Sequence, residues 1–333
     1  MKVVAFWLPG CEASARTRLS DLQPALGAAG VELELRPWPR GAARRRVGRS
    51  LGEHDVVLLQ RVLVEEGVLV GLRRAARALV LDLDDAIDQR PWGRRASLRL
   101  RRRYLRTLAA CDLVTTGSEH LRQRAARHHP RVRLLPPATA APAELAARPA
   151  PPPLRLLWTG SRHTLPYLED LGPVLAEVAG GGQLELRVLA DQAPQLPPGV
   201  PLDFVPWSLE AEEQALGWAH LGLYPLRDDP WSAGKCAYKV RRYMAFGLAT
   251  LASPQGGGRE ALEAPTAGWI ASTPAEWGSE LRRILAEPAQ VAEMGQRARA
   301  LSLARDPLEL RGTRFASILA EAAAVGRRRS TRG

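Results

Sequence analysis

Two lysines, Lys235 and Lys239, lie four residues apart in a chain that carries nearly all of its positive charge on arginine. Lys2 is the only other lysine among the 333 residues. A lysine ammonium is a compact charge on a flexible stem, whereas an arginine guanidinium is a planar fork, so the two meet a phosphate differently. Because arginine replaces lysine almost everywhere else, we expect these two positions to need an ammonium group, as a diphosphate site would.

The residues around the lysines favour the same chemistry. We predict a helix over 235–246, capped by Ser232 and closed by Gly247, with the two lysines one turn apart on one face. A helix N-terminus offers unpaired backbone N–H groups and a positive dipole end, which suit a diphosphate. The following turn, which contains Gly256 and Gly257, would bring further backbone donors close to phosphate oxygens. An ordinary helix with two solvated lysines is the alternative.

Other reactive residues give weaker patterns. The segment LDLDDAID, residues 81–88, contains the Asp-x-Asp pattern that can hold a divalent metal. This pattern is short, and we favour binding or loop-capping carboxylates there. The three cysteines, Cys11, Cys111 and Cys236, show neither CxxC nor Cys/His metal spacing. We interpret Cys236 as a packing residue, with a reactive thiolate near a helix start as the alternative.

Apolar strands alternate with amphipathic helices along the chain, and this alternation predicts parallel sheets covered on both faces. Candidate strands lie at 3–7, 31–36, 55–60, 78–83, 112–116 and 131–135, and then at 154–158, 184–189, 202–205, 221–224, 249–252 and 269–271. Candidate helices lie at 15–29, 64–76, 98–110, 165–178, 209–218, 235–246, 274–286 and from 288 onward.

A proline-dense segment divides this alternation in two, and it predicts an α/β protein with two doubly wound, Rossmann-like parallel-sheet domains that face each other across a cleft. Ligands bind at the carboxyl ends of the strands in such folds. The predicted parts are a first domain at 1–138, a flexible Pro/Ala-rich linker at 139–153, a second domain at 154–305, a helix at 306–326 that returns to the first domain, and a basic tail at 327–333.

Much of the positive charge behind the formal net charge of +12 lies in arginine-rich runs at 40–49, 99–106 and 327–332, in which Tyr104 is the only aromatic residue. We interpret these runs as solvated helix faces and a basic tail, with a diphosphate cleft or peripheral contact with an anionic membrane as alternatives. No nucleic-acid partner is expected.

No apolar run is long enough to span a membrane, and the N-terminus lacks a signal-peptide cleavage site. We therefore expect a cytoplasmic protein, with the inner face of the membrane as the alternative site.

Several segments, in order, resemble retaining glycosyltransferases of the family 4 type, which have the GT-B fold. The segment from DDPW through GKCAYK and YMAFG to LAS is similar to the donor-site signature of that family. The other similar segments are SARTR at 14–18, DVVLLQR at 55–61, LDLDDAI at 81–87, LVTTGSEHL at 113–121, LLWTGSRHTLPYL at 156–168 and VPWSLEAEEQAL at 205–216.

The resemblance implies transfer of a sugar from a nucleoside diphosphate to a glycan, lipid-linked or small-molecule acceptor, with retention of configuration and without a metal or other cofactor. It implies catalytic roles for Lys235, Lys239, Arg162 and Asp229. The implied donor-binding residues are Gly160, Ser161, His163, Asp228, Trp231, Gly234, Tyr238, Arg242, Gly256 and Gly257. On the acceptor side it implies Arg16 and Arg18, projecting from the first loop, together with Asp84, Asp85 and His120.

One departure from the family concerns two glutamates that many members carry around this helix, with seven residues between them. Gly234 and Arg242 stand at those positions. Asp228 or Asp229 could supply a carboxylate from the preceding loop. A catalytically degenerate descendant that binds a nucleotide-sugar or a glycan is therefore the alternative function.

Overall fold

The chain forms two compact units in a computed structural model that describes residues 1–90, 97–145 and 147–330. Unit 1 comprises Met1–Ala138, Asp229–Cys236 and the residues from Pro307 onward. Unit 2 comprises Thr139–Asp228 and Ala237–Asp306. The sequence pattern predicts that the segment 229–236 belongs to the second domain, whereas the contacts of this segment group it with unit 1.

Unit 1 contains a six-stranded parallel sheet in the order β2-β1-β3-β4-β5-β6. The strands are continuous apolar runs because helices cover both faces, and 56–59 are fully buried. The strands are β1 (Lys2–Trp7), β2 (Glu32–Pro37), β3 (Val56–Gln60), β4 (Ala78–Leu83), β5 (Leu113–Thr116) and β6 (Val132–Leu134). The helices are α1 (Glu12–Arg18), α2 (Gln23–Ala28), α3 (Glu66–Ala75), α4 (Leu98–Ala110), α5 (Glu119–Ala126), α9 (Pro230–Ala233) and α14 (Leu308–Ser330), with 3₁₀ segments at Ser20–Leu22 and Gly41–Ser50.

Unit 2 contains a second parallel sheet of six strands in the order β12-β11-β10-β7-β8-β9. Its strands are β7 (Leu154–Thr159), β8 (Leu184–Ala190), β9 (Leu202–Pro206), β10 (Leu221–Tyr224), β11 (Ala249–Ala252) and β12 (Trp269–Ile270). Its helices are α6 (Leu165–Glu169), α7 (Gly172–Val178), α8 (Leu209–Trp218), α10 (Tyr238–Ala245), α11 (Gly258–Leu262), α12 (Pro274–Ala286) and α13 (Ala289–Arg305), with a 3₁₀ segment at Gly180–Gly182.

All twelve predicted strands are present within one or two residues of their expected bounds. The helices differ more. The predicted helix 165–178 is broken at Asp170 and Leu171 into α6 and α7, and α7 begins with Gly172 and Pro173. A side chain at position 172 would lie 2.7 Å from the Pro197 ring, so this close approach needs glycine. The predicted helix 15–29 is likewise interrupted by a 3₁₀ turn before Pro24.

The helix predicted at 235–246 begins three residues later, at Tyr238. Ala237, just before it, has a φ of 52° in the left-handed region, so the helix cannot extend backwards through it. Ser232 is not the cap that the sequence predicts, because it lies inside the short helix α9. The N-cap of α9 is Asp229, whose carboxylate accepts from the N–H groups of Trp231 and Ser232, each at 2.9 Å.

The proline-rich segment after residue 138, predicted as a linker, groups with unit 2 and is hydrogen-bonded to the rest of it. Arg299 donates to the Pro142 carbonyl at 2.6 Å, and Arg148 donates to the carbonyls of Leu216 and Phe246 at 2.9 and 2.6 Å. Prolines prevent this segment from forming a helix or strand. It is held instead by arginine side chains that donate to backbone carbonyls, one arginine within the segment and one outside it.

Helix α14 returns to unit 1 after α13. Its residues Phe315, Ile318 and Leu319 are buried against Val3 and Leu26 on one face of the sheet. The last helix of the chain therefore completes the core that the first strand begins.

Candidate functional site

In unit 1, the predicted acceptor residues Asp84 and Asp85 directly follow β4, at the carboxyl edge of the sheet. Both side chains are about nine-tenths buried, with 12% and 10% exposed. The Ser14 hydroxyl donates to Asp84, and the Gln60 side-chain amide donates to Ser14 Oγ at 2.7 Å. Asp85 caps its own turn by accepting from the Ala86 N–H at 2.9 Å. The carboxyl ends of α/β sheets are where such folds bind ligands.

Arg61 links the two carboxylates. Its guanidinium lies 3.4 Å from Asp84 Oδ1 and 3.4 Å from Asp85 Oδ2, and its backbone φ of 58° is in the left-handed region. Burial alone would lower the pKa of Arg61, but the two aspartates outweigh it and raise that pKa. The sequence prediction missed both Gln60 and Arg61, although their position at the end of a buried parallel strand was the same signal that identified Asp84.

Lys235 belongs to this cluster in unit 1. Its Nζ lies 3.7 Å from Asp85 Oδ2 and 3.5 Å from the centre of the Trp231 ring, and the side chain is 17% exposed. An ammonium over an aromatic face beside a carboxylate is held by both charge and the ring quadrupole. Two carboxylates and two cations therefore meet at the end of β4.

Two small residues bring the 229–236 segment against the sheet of unit 1. A Cβ at Gly234 would lie 2.4 Å from Ala86 Cβ and 2.8 Å from the Ala86 nitrogen, so position 234 has no room for a side chain. The Cys236 thiol donates to the Asp84 carbonyl at 3.0 Å. Burial raises the pKa of the Cys236 thiol, which makes it a packing residue rather than a thiolate.

Arg18 does not project from a loop, contrary to the prediction. It is the last residue of α1, and its side chain is 2% exposed. Its Nε and Nη2 donate to the two carboxylate oxygens of Asp82 at 3.0 and 2.5 Å. Its Nη1 donates to the Leu135 carbonyl at 2.6 Å. Burial acts to lower the pKa of Arg18, and its pairing with Asp82 raises it further than burial lowers it. Asp82 is the first aspartate of the Asp-x-Asp pattern, and Asp84 is the second. The Asp82 carboxylate also accepts from the Thr115 hydroxyl at 2.6 Å, so its partners all lie in the core of unit 1.

The other predicted acceptor residues lie at the surface. Arg16 is half-buried in the last turn of α1, and His120 is exposed in the first turn of α5. Ser118 caps α5, as expected, by accepting from the Leu121 N–H.

In unit 2, the predicted donor residues Gly160 and Lys239 both lie beside Trp158. A Cβ at Gly160 would lie 1.9 Å from Trp158 Cη2, so only glycine allows the turn to pass the indole ring. Lys239 Nζ lies 4.8 Å from the centre of the Trp158 ring, and Lys239 stands in the first turn of α10. Trp158 is part of the core, and it also brings two distant segments together.

The residues after Gly160 form a turn stabilised from within. Ser161 donates its N–H to the Thr164 hydroxyl at 3.1 Å. Arg162 donates its N–H and its Nε to the carboxylate of Asp191, at 2.6 and 2.7 Å, and its side chain is 65% exposed. His163 is exposed on the same turn. Arg162 therefore has an acidic partner within unit 2, and the ends of its guanidinium remain exposed.

The remaining donor residues lie on loops and on α10. Gly256 and Gly257 have φ of 62° and 68°, which glycine adopts without strain, and the Tyr224 hydroxyl donates to the Gly256 carbonyl at 3.4 Å. Asp228 is exposed, and Tyr238 begins α10 with its side chain half-buried.

Arg242 has protein partners on the buried side of α10. Its guanidinium donates to Glu213 at 3.1 Å and to the Ala140 carbonyl at 3.0 Å, and it lies 4.6 Å from the centre of the Phe246 ring. These contacts account for a buried arginine at position 242 without a ligand.

Among residues 1–90, 97–145 and 147–330, no group of three or more His, Cys, Asp or Glu side chains is arranged to hold a metal ion. Within the same ranges, every helix is too short or too polar to cross a lipid bilayer.

No protein-family model and no curated protein matches the sequence. Solved structures match over nearly the whole chain. Sucrose-phosphate synthase from Thermosynechococcus elongatus matches with a TM-score of 0.74 and 14% identity, over 97% of this chain and 100% of that one. HepE from Anabaena, solved with UDP-glucose, matches with a TM-score of 0.72 and 13% identity, over 96% and 100%. AviGT4, a glycosyltransferase involved in avilamycin A biosynthesis, matches with a TM-score of 0.66 and 16% identity, over 97% and 98%. The predicted GT-B fold, with its two Rossmann-like α/β units, is thereby confirmed.

Proposed function

We propose that this chain, whose fold is that of solved GT-B glycosyltransferases, transfers a sugar from a nucleoside diphosphate to a glycan, lipid-linked or small-molecule acceptor. In this proposal the sugar keeps its anomeric configuration and no metal or cofactor takes part. UDP-glucose is the first donor to test, because the HepE structure of the same fold was solved with it.

The meeting of Lys239 and Gly160 at Trp158 is the observation that carries the proposal. These two positions come from segments that are far apart in sequence, and each was predicted to bind the donor. A glycine turn gives close backbone approach and an ammonium gives charge, and a diphosphate uses both.

In the proposed mechanism, Lys239 acts mainly in the transition state. Negative charge grows on the diphosphate as the bond to the sugar breaks, so a fixed ammonium stabilises the transition state more than the bound donor. The backbone around Gly160 and Ser161 and the turn at Gly256 and Gly257 would hold the phosphate oxygens in place.

In unit 1, Asp84 and Asp85 would orient acceptor hydroxyl groups. Arg61 pairs with both carboxylates and Lys235 pairs with Asp85, and these ion pairs fix the directions of the carboxylates, as a binding site for hydroxyl groups requires. Asp229 caps α9, and so its proposed part is to position Trp231 and the Lys235 segment rather than to touch the donor.

A catalytically degenerate binder of a nucleotide-sugar or glycan is the second candidate, and it also has an observation in its favour. Position 234 has no space for the glutamate that many family members carry there, and Arg242 is committed to Glu213 and Ala140. Binding without turnover is the result that this candidate predicts.

The test is a panel of UDP-, GDP- and ADP-sugars, with binding followed by calorimetry and turnover followed by release of the nucleoside diphosphate. We expect Lys239→Ala to weaken binding of the preferred donor about 10- to 100-fold, because a charge-assisted contact with phosphate is lost. We expect Lys239→Arg to recover only part of this affinity, since a planar fork cannot replace a point charge beside Trp158.

Lys2→Ala is the matched control. Lys2 is half-exposed, 4.0 Å from Glu53, and its loss should leave donor affinity unchanged. Equal donor affinity in the wild-type protein and Lys239→Ala would refute the proposed donor site. Tight binding with no nucleoside diphosphate release, whatever the acceptor, would select the degenerate binder.

A further inference from the structure

Two arginine-rich segments of unit 1, the 3₁₀ segment Gly41–Ser50 and the start of α4, are fastened side by side. Glu65 Oε1 accepts from Arg44 at 2.9 Å and from Arg103 at 3.2 Å, so a single carboxylate joins them. Glu66 pairs with Arg106, one turn further along α4. The charges of these two glutamates are thus compensated by Arg44, Arg103 and Arg106.

The arginines that remain on this part of unit 1 are exposed, and none of the carboxylates in the described ranges forms an ion pair with them. We call this surface the basic tip. It consists of Arg45 and Arg46 on the 3₁₀ segment and Leu98, Arg99, Arg101 and Arg102 on α4.

The basic tip projects beyond its neighbours. Arg106 meets Glu66 at the first turn of α3, and Leu98 lies eight residues before Arg106 on α4. At 1.5 Å per residue, the start of α4 extends about 12 Å beyond that contact. Its first strongly buried residue is Tyr104, so the first turns of α4 face solvent.

An apolar residue stands at the end of this projection. Leu98 is 73% exposed, the largest exposure of any large hydrophobic side chain in the part of the chain that the structure describes. A leucine at the end of an arginine-rich helix suits an interface in which cations meet anionic headgroups while an apolar side chain enters the acyl region. A phosphate backbone would use the arginines but gain nothing from Leu98, and the basic tip has no aromatic side chain for stacking on bases.

We infer that the basic tip binds the surface of a membrane that contains anionic lipid. Arg329, near the end of α14, is less suited to this role, because it donates to the carbonyls of Ala76 and Arg77 at 3.2 and 3.0 Å and lies 3.6 Å from Asp112. The α4 helix returns from β4 to the parallel strand β5, so it begins at the carboxyl edge of the sheet. The basic tip therefore lies at the same edge as Asp84 and Asp85.

The test measures co-sedimentation of the full chain with phosphatidylcholine vesicles, with and without phosphatidylglycerol. We expect binding only to the anionic vesicles, weakened by salt. The triple change Arg99→Gln, Arg101→Gln and Arg102→Gln should weaken vesicle binding about 100-fold, because each arginine near an anionic surface contributes about fivefold to the affinity. Leu98→Ser should weaken it about tenfold, because an inserted leucine side chain is lost.

Matched variants in unit 2 serve as controls. Changing Arg259, Arg282 and Arg297 to Gln removes the same net charge from exposed positions, and Leu303→Ser removes a leucine that is 49% exposed. Both should bind within about threefold of the wild-type protein, since the inference assigns binding to the basic tip and charges outside the binding surface are screened. The changed arginines and Leu303 are exposed, and thermal unfolding checks that each variant folds.

Equal losses in the two triple variants would overturn the inference, because net charge alone would then explain binding. Wild-type vesicle affinity in Leu98→Ser would overturn the proposed insertion. Binding of single-stranded RNA without any binding of anionic vesicles would overturn the membrane partner altogether. Donor binding and turnover are measured separately, so failure of this inference leaves the proposed transferase function standing.

Discussion

At the scale of single residues, Lys235 and Lys239 lie close in the chain but have contacts in different units. Lys235 contacts Asp85 and Trp231 in unit 1, whereas Lys239 contacts Trp158 in unit 2. The scarcity of lysine in the sequence identified both positions as special. The lysine count could not predict which residues the two lysines contact. Those contacts depend on the left-handed backbone at Ala237, which neither the composition nor the hydrophobic periodicity of the sequence predicts.

His220 is another residue whose surroundings have a measurable consequence. Its ring accepts from the Arg155 N–H at Nδ1, at 3.1 Å, and donates from Nε2 to the Pro149 carbonyl at 2.8 Å. Burial lowers the pKa of His220, the Pro149 carbonyl raises it less, and the nearby Arg155 and Arg148 lower it again. The folded protein therefore prefers the neutral ring.

This lowered pKa predicts a pH dependence of stability. Above about pH 6.5 the ring is neutral in both states, and the full contribution of His220 is present. Below that pH the unfolded chain binds a proton that the folded chain resists, so stability is lost as the pH falls through the folded pKa. Denaturant unfolding of unit 2 at pH 7.5 and 5.5 should show a smaller loss for His220→Gln than for the wild-type protein.

His128→Gln is the control, because His128 is exposed and should leave the pH dependence unchanged. An identical pH dependence in His220→Gln and the wild-type protein would assign the effect to other groups.

At the scale of elements, the strands could be predicted from the sequence and several helix ends could not. A buried parallel strand is a continuous apolar run such as 56–59, and this pattern depends on nothing outside the segment. The breaks near Gly172 and Ala237 depend on contacts with distant residues or on a local backbone conformation. The same holds for the candidate site: Asp84 and Asp85 were predicted as strand ends, while Arg61 depends on a left-handed backbone.

The segment containing α9 gives a prediction at this scale. Gly234→Ala should destabilise unit 1 by about 1–3 kcal/mol, because the new Cβ would overlap the backbone and side chain of Ala86. Gly234→Glu should destabilise it more and should not produce or raise sugar transfer. Unfolding in denaturant, with turnover measured on the same samples, tests both variants.

A glycine with free space provides the comparison. A Cβ at Gly67, in α3, would meet no heavy atom within 4 Å outside its own helix. Gly67→Ala should therefore be neutral or stabilise the protein by up to about 1 kcal/mol. A stable Gly234→Glu protein with increased turnover would contradict the account of position 234.

At the scale of the whole molecule, helix α14, which is late in the chain, packs against the sheet that the first strands form. Leu319 in α14 is fully buried against the sheet of unit 1, and Leu310 in the same helix is 52% exposed. We expect Leu319→Ala to destabilise unit 1 by about 2–5 kcal/mol, whereas Leu310→Ala should change stability by less than about 0.5 kcal/mol.

Hydrogen exchange locates this effect. Leu319→Ala should speed exchange in β1 and β3, which lie far earlier in the chain, and leave β7 and β8 unchanged. Equal acceleration in both sheets, or in neither, would show that α14 does not support unit 1 specifically.

The distribution of each unit along the chain also limits how such a protein can be recombined. Unit 1 is assembled from three stretches and unit 2 from two. A gene exchange with one crossover near residue 138 would join a new first sheet to the old α9 segment and the old α14. Chimeras that keep the core of unit 1 must therefore transfer all three stretches from one parent, and single-crossover hybrids are expected to fold poorly unless their parents match at Gly234, Phe315 and Leu319.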